Sequence, residues 1–132
     1  MAEPASPSVP VSWGELLDKI SILEIKRERI ERADARRNVA REHSLLSRVA
    51  GAVLRDGGVQ ALFARLKAVN EELWGIEDAI REEEARGRFG TAFVALARSV
   101  YRKNDERAAI KREINAALRS ELVEEKSYAG FA

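Results

Sequence analysis

The stretch Val11-Ser-Trp-Gly-Glu-Leu-Leu-Asp-Lys-Ile-Ser-Ile-Leu-Glu-Ile-Lys26 marks the start of a helix in three ways. Ser12 is an N-cap residue whose hydroxyl can accept from the backbone N–H of Glu15. The Glu15 carboxylate is spaced to reach back to Ser12, completing an S-x-x-E capping box. Val11 and Leu16 are placed as a hydrophobic staple, and Pro10 keeps the incoming chain extended. Leu16, Leu17, Ile20, Leu23 and Ile30 then recur at three- and four-residue steps, the period of an amphipathic helix running to about Ala33. Ile22 and Ile25 lie off that stripe, so the buried arc is wide and the helix is expected to touch more than one neighbour.

Asp34 offers a second N-cap before Val39, Leu45, Leu46, Val49, Val53 and Leu54, whose phase does not continue that of the first helix. A break near Ala33–Ala35 is expected, with one unbroken helix to Arg55 as the alternative. Gly57-Gly58 is read as the C-cap of this second segment, because paired glycines enter the left-handed conformation readily. A third helix follows, in which Val59, Leu62, Leu66, Val69, Leu73, Ile76 and Ile80 alternate steps of three and four, a coiled-coil-like seam. Gly75 inside it suggests a close helix–helix approach. Gly87 and Gly90 bracket the next turn, Gly90 or Thr91 caps a fourth helix, and Phe93, Leu96, Val100, Ile110, Ile114 and Leu118 carry that helix to about Glu124. The fold class is therefore all-α, an antiparallel bundle of three to four long helices.

The chain has 132 residues, enough for one domain with a core that needs no disulfide or structural metal. Residues 1–10 read as a proline-punctuated leader, 11–126 as the bundle and 127–132 as a tail. Without cysteine, thiolate metal sites are excluded, and a reducing, cytoplasmic setting is expected with no transmembrane segment. Lys plus Arg is 23 against 22 Asp plus Glu, so no global field points to nucleic acid. The charges are unevenly placed: eight basic and four acidic residues from Lys26 to Arg48, seven acidic and one basic from Glu71 to Glu84. Two helices whose flanks attract each other would account for this.

Polar residues interrupt the apolar stripes at one level. Asn104, Arg107 and Lys111 fall in the middle of the fourth helix, Asn70 and Glu77 flank Trp74 on the third, and Lys19, Glu24 and Arg27 lie on or beside the first. If the three patches meet, they make a polar layer inside the bundle. Bundle cores host ligand sites built in this way. The same residues could equally be an ion-pair and amide network that fixes register. An open cavity with excess positive charge would favour the site.

Other candidates carry less. His43 has no second metal ligand at helical spacing and reads as a surface residue. Glu82-Glu83-Glu84 reads as a solvated helix end, since three successive helical positions cannot converge on one ion. Trp13 and Trp74 read as core or interface anchors, and no serine has a histidine placed to activate it. No metal or cofactor is expected.

Three segments resemble a bacterial family of unknown function: VSWGELLDKISILEIK at 11–26, LKAVNEELWGIEDAIR at 66–81, and FGTAFVALARSVYRKNDERAAIKREIN at 89–115 followed by SELVEEKSY at 120–128. These blocks contain Asp18, Lys19, Glu24, Asn70, Trp74, Glu77, Asn104, Asp105 and Arg107. The resemblance implies an accessory role beside glycosyltransferase or surface-polysaccharide systems. The predicted architecture is also similar to that of the all-helical chorismate mutases, an analogy of fold with no residues carried over. The leading expectation is a non-enzymatic interaction module, bound to a protein partner or to itself through the surface of the first or third helix. The alternative is a small-anion-binding protein or enzyme using Arg27, Arg107 and Lys111 with Asn104 and Glu77.

Overall fold

The computed structural model describes residues 6–120 and Glu125. Four α-helices, α1 (Trp13–Arg29), α2 (Ala33–Ala50), α3 (Gly57–Ala85) and α4 (Thr91–Ala117), are joined by short links, with a 3-10 turn at Val53–Arg55. No strand occurs among the described residues. The fold is all-α, and α1 packs against each of the other three helices, as its wide apolar arc requires. The longest mutual contact is between α3 and α4. Arg65 pairs with Glu113 and Lys103 with Glu72, so residue numbers rise along one helix as they fall along the other.

The core forms where the stripes meet. Leu17, Ile20, Leu66 and Ile114 are fully enclosed, with Ala50, Val59, Val69, Leu73 and Ile110 around them. Each such large aliphatic side chain contributes about 1.5–3 kcal/mol relative to an exposed one. The α3 seam supplies Val59, Leu66, Val69 and Leu73 to this core, while Leu62, Ile76 and Ile80 are only half-buried.

Several boundaries differ from the sequence reading. Only half of the capping box forms: Ser12 accepts from the Glu15 N–H at 3.1 Å, but the Glu15 carboxylate turns to Lys111 Nζ at 2.8 Å. A buried ammonium recruits a counter-ion more strongly than an N-terminal amide does. The break after α1 falls at Ile30–Arg32, three residues earlier than expected, with Ile30 extended. Arg32 is the N-cap of α2; Asp34 instead pairs with Arg32 and accepts from the Ala35 N–H. α2 ends at Ala50, and Gly57-Gly58 opens α3 because Asp56 caps that helix, accepting from the Val59 N–H at 3.1 Å. Only Gly87 takes the left-handed conformation among the described glycines, ending α3 with an Arg88 N–H to Glu83 carbonyl bond. α4 stops at Ala117 rather than near Glu124, with Arg119 left-handed and the Ser120 N–H closing on the Asn115 carbonyl. The tail expected at 127–132 lies outside the described residues.

Two packing expectations also change. Gly75 faces open space, and the close approach is at Gly14, where an added Cβ would sit 2.7 Å from the Lys111 carbonyl oxygen. The basic and acidic runs meet at one point only, and among the described residues the acidic run on α3 forms no ion pair with α2. Its Glu71 pairs with Arg29 of α1, Glu72 with Lys103 of α4, and Glu77, Glu82 and Glu83 with Arg81, Arg86 and Arg88 nearby in sequence.

Candidate functional site

Three helices bring polar side chains together beside the core. On α1, Asp18 and Ser21 stand one turn apart within an otherwise apolar arc, and both are buried. On α3, Asn70 takes the position between Val69 and Leu73 and is 4% exposed. Its Nδ2 donates to Asp18 Oδ1 and to Ser21 Oγ, each at 2.8 Å, and Ser21 Oγ donates to the Asp18 carbonyl at 2.7 Å. On α4, Lys111 is buried with its Nζ 2.8 Å from Glu15 Oε2 and 3.5 Å from Asp18 Oδ2. Buried charge is tolerated here because each group has an opposite charge and hydrogen bonds to answer it.

Arg107, one helical turn before Lys111, completes the line. Its Nη1 donates to Asn70 Oδ1 at 3.1 Å and its Nη2 to Asn104 Oδ1 at 2.8 Å. Both acceptors are neutral amides. Among the described residues Arg107 forms no ion pair, so its geometry is set while its charge is left unanswered. A guanidinium has five N–H donors in a planar fork that suits a carboxylate or phosphate, and two are used here.

This guanidinium opens on a groove of about 570 Å³ between α1, α3 and α4. Ile22, Ile25, Leu73, Trp74 and Val100 supply its apolar walls, Asn70, Asn104 and Arg107 one polar end, and Glu77, Asp78 and Arg81 the other. The groove is open, as a site requires, but its charges balance instead of leaving positive excess. Trp74 is half-buried and carries the Arg29 guanidinium 5.8 Å from its ring centre.

Of the expected layer, Asn70, Asn104, Arg107 and Lys111 join one network, and Glu77 lines the groove as an exposed residue loosely paired with Arg81 at 3.9 Å. The other three do not join it. Lys19 is exposed and pairs with Glu42 of α2. Glu24 pairs with Lys67 and His43, and Arg27 donates to His43 Nδ1 at 3.2 Å, on the side of α1 that faces α2. One helix cannot aim positions 19, 24 and 27 and positions 18, 22 and 25 at the same neighbour. The expected trio of Arg27, Arg107 and Lys111 is therefore not assembled: Lys111 is neutralised below the groove and Arg27 is elsewhere. His43, read as a surface residue, is half-buried with a side chain 15% exposed, bridging α2 to Glu24.

Sequence reasoning passed over the clasp at the start of α1. Asn115 Oδ1 accepts from the Gly14 N–H at 2.7 Å and from Ser120 Oγ at 3.1 Å, and Ser120 Oγ accepts from the Trp13 N–H at 3.0 Å. With Ser12 serving Glu15, the first three amides of α1 are satisfied by the chain itself, which closes that end to an anion. Near α1's other end Lys67 ties α3 to Glu28 and Glu24. The Lys67 ammonium holds the Glu28 carboxyl below its ordinary range, and Glu28 in turn raises Lys67.

The family model described as "Family of unknown function (DUF6165)" matches residues 8–131, nearly all of the chain. The chain belongs to that family. No curated protein and no solved structure matches it. Membership extends over every residue of the network and groove. No helix among the described residues is long and apolar enough to cross a membrane, and no cluster there has the donors to hold a metal ion.

Proposed function

We propose that this chain is a non-enzymatic helical binding module, an accessory or interaction protein that grips an anionic group of its partner with Arg107. The observation that carries this reading is the pair of neutral amides, Asn70 and Asn104, that orient the guanidinium without neutralising it. A cation serving only the fold would be expected to carry a carboxylate partner, as Lys111 does. The apolar wall beside Arg107 adds area for the non-polar part of a ligand, the usual composition of a recognition groove. A binding role is favoured over catalysis because the groove's lining of amides, guanidiniums and exposed carboxylates offers hydrogen bonds and charge to a ligand, with no lining side chain paired to a base in the way that activates a nucleophile.

Self-association through the surface of α1 or α3 draws less support than the groove. Among the described residues, the large exposed apolar side chains, Val9, Val11, Leu45, Val49, Phe89, Val94 and Tyr101, lie outside those two helices. The link to surface-polysaccharide or glycosyltransferase systems is retained as the setting in which a partner would be sought.

N-acetyl-leucine, a carboxylate on an apolar body, tests the reading by NMR titration. Shifts confined to the Trp74 indole N–H and the Arg107 Nε–H, lost in Arg107→Gln, support it. Shifts that persist in Arg107→Gln, or none at millimolar ligand, overturn it.

A further inference from the structure

The two ends of the groove differ in sign. Arg107 stands at the level of Asn70, and Asp78 stands two turns further along α3; among the described residues Asp78 forms no ion pair. Glu77 beside it is half occupied by a loose contact with Arg81. A polyanion placed on Arg107 would meet these carboxylates, whereas a ligand with an acid at one end and a base at the other would satisfy both ends.

The spacing between the ends selects the backbone that could do so. Asn70, Trp74 and Asp78 follow one another at four-residue steps along α3, a rise of roughly 6 Å per step and 12 Å in all. In an extended strand, side chains on one face recur every two residues, roughly 6.6 Å apart. The two repeats nearly coincide. An acid, an apolar side chain and a base at alternate positions of a strand would therefore fall in turn on Arg107, on Trp74 with Leu73, Ile22, Ile25 and Val100, and on Asp78 with Glu77. A single amino acid is too short to reach both ends.

We infer that the groove takes an extended peptide segment of a protein partner with the pattern acid-x-apolar-x-base. The inference rests on the reading of Arg107 as an anion-binding group and adds the partner's chemistry, spacing and conformation.

Two peptides separate the two ideas: acetyl-Glu-Ser-Leu-Ser-Lys-amide and the same peptide with Gln in place of Lys, titrated into the full chain and into Arg107→Gln and Asp78→Asn. The expected result is that the Lys peptide binds the parent more tightly than the Gln peptide. Asp78→Asn should remove that advantage, up to about fivefold for a solvent-exposed pair, without altering the Gln peptide. Arg107→Gln should weaken both peptides. If both bind equally well and Asp78→Asn changes neither, the peptide inference is overturned while Arg107 as an anion site stands. If Arg107→Gln weakens neither peptide, or neither peptide binds the parent, both ideas are overturned.

Discussion

Asn70 joins Arg107 to Asp18 through the two ends of one amide, accepting from the guanidinium at 3.1 Å and donating to the carboxylate at 2.8 Å. Because an amide is both acceptor and donor, it can face a cation on one side and an anion on the other. No aliphatic or singly charged side chain of that size does this. Asn70→Ala would strand Asp18 Oδ1 in a buried place, remove the donor to Ser21 Oγ, which keeps its bond to the Asp18 carbonyl, and take the acceptor from Arg107 Nη1; an unmet buried polar group costs about 1–3 kcal/mol. Urea denaturation should show a loss of at least about 2 kcal/mol; a midpoint equal to the parent's would remove Asn70 from the account.

Gly14 and Gly75 exchange the roles that their sequence contexts suggest. A Cβ at Gly14 meets the Lys111 carbonyl and Asn115 Oδ1, whereas one at Gly75 meets nothing within 4 Å. Gly14→Ala should destabilise by about 1–3 kcal/mol through overpacking. Gly75→Ala, at an exposed helical position, should stabilise by up to about 1 kcal/mol. Thermal unfolding of the two variants checks the pair, and the same sign in both would contradict the α1–α4 contact described above.

Lys67 and Glu28 tie α1 to α3 in a pH-dependent way. The Lys67 ammonium holds the Glu28 carboxyl below its ordinary 4.5, so this contribution is present above 4.5 and fades as pH falls from there through the lowered folded value. Lys67 itself is raised above 10.5, chiefly by Glu28, so its contribution persists below 10.5 and is lost only as pH rises beyond it. The stability difference between the parent and Lys67→Met should be constant near neutrality and shrink below pH 4.5. A difference that stays constant down to pH 2 would show that the tie is not electrostatic.

Asp18 and Lys111 are about equally buried and face each other across α1 and α4. Removing Asp18 alone takes the more distant of two carboxylates from the buried ammonium, leaving Glu15 at 2.8 Å, and should cost about 1–3 kcal/mol. The double change Asp18→Leu with Lys111→Met replaces charge with apolar volume and should recover most of that loss. Denaturation of the single and double variants, read as a cycle, would show an interaction near zero if the pair were not coupled.

The helices were legible because their apolar stripes are long and regular, and α1's off-stripe isoleucines correctly required several neighbours. The links were less so. A break at Ile30 carries no glycine or proline, and Asp56 before Gly57-Gly58 has the composition of a turn as much as of a cap. At the site, Asn70, Asn104, Arg107 and Lys111 were legible as polar residues interrupting apolar stripes. Lys19, Glu24 and Arg27 were drawn in because a wide apolar arc does not say which neighbour each of its flanks faces, and their partners lie on α2 and, for Glu24, also on α3. The signal for their replacements was present: around the helix Asp18 and Ser21 fall between Leu17 and Ile22, on either side of Ile25. Asn115 and Ser120 gave no such signal, since their role depends on where α4 ends over α1.

The central claim is that Arg107 is held for a ligand and not for the fold, and the urea-unfolding midpoint of ligand-free Arg107→Gln tests it most directly. The Gln amide can still donate to Asn70 or Asn104, so a stability within about 1 kcal/mol of the parent is predicted. A loss of about 3 kcal/mol or more, the size expected when a partner is removed from a buried ion pair, would make Arg107 a structural cation and contradict the account.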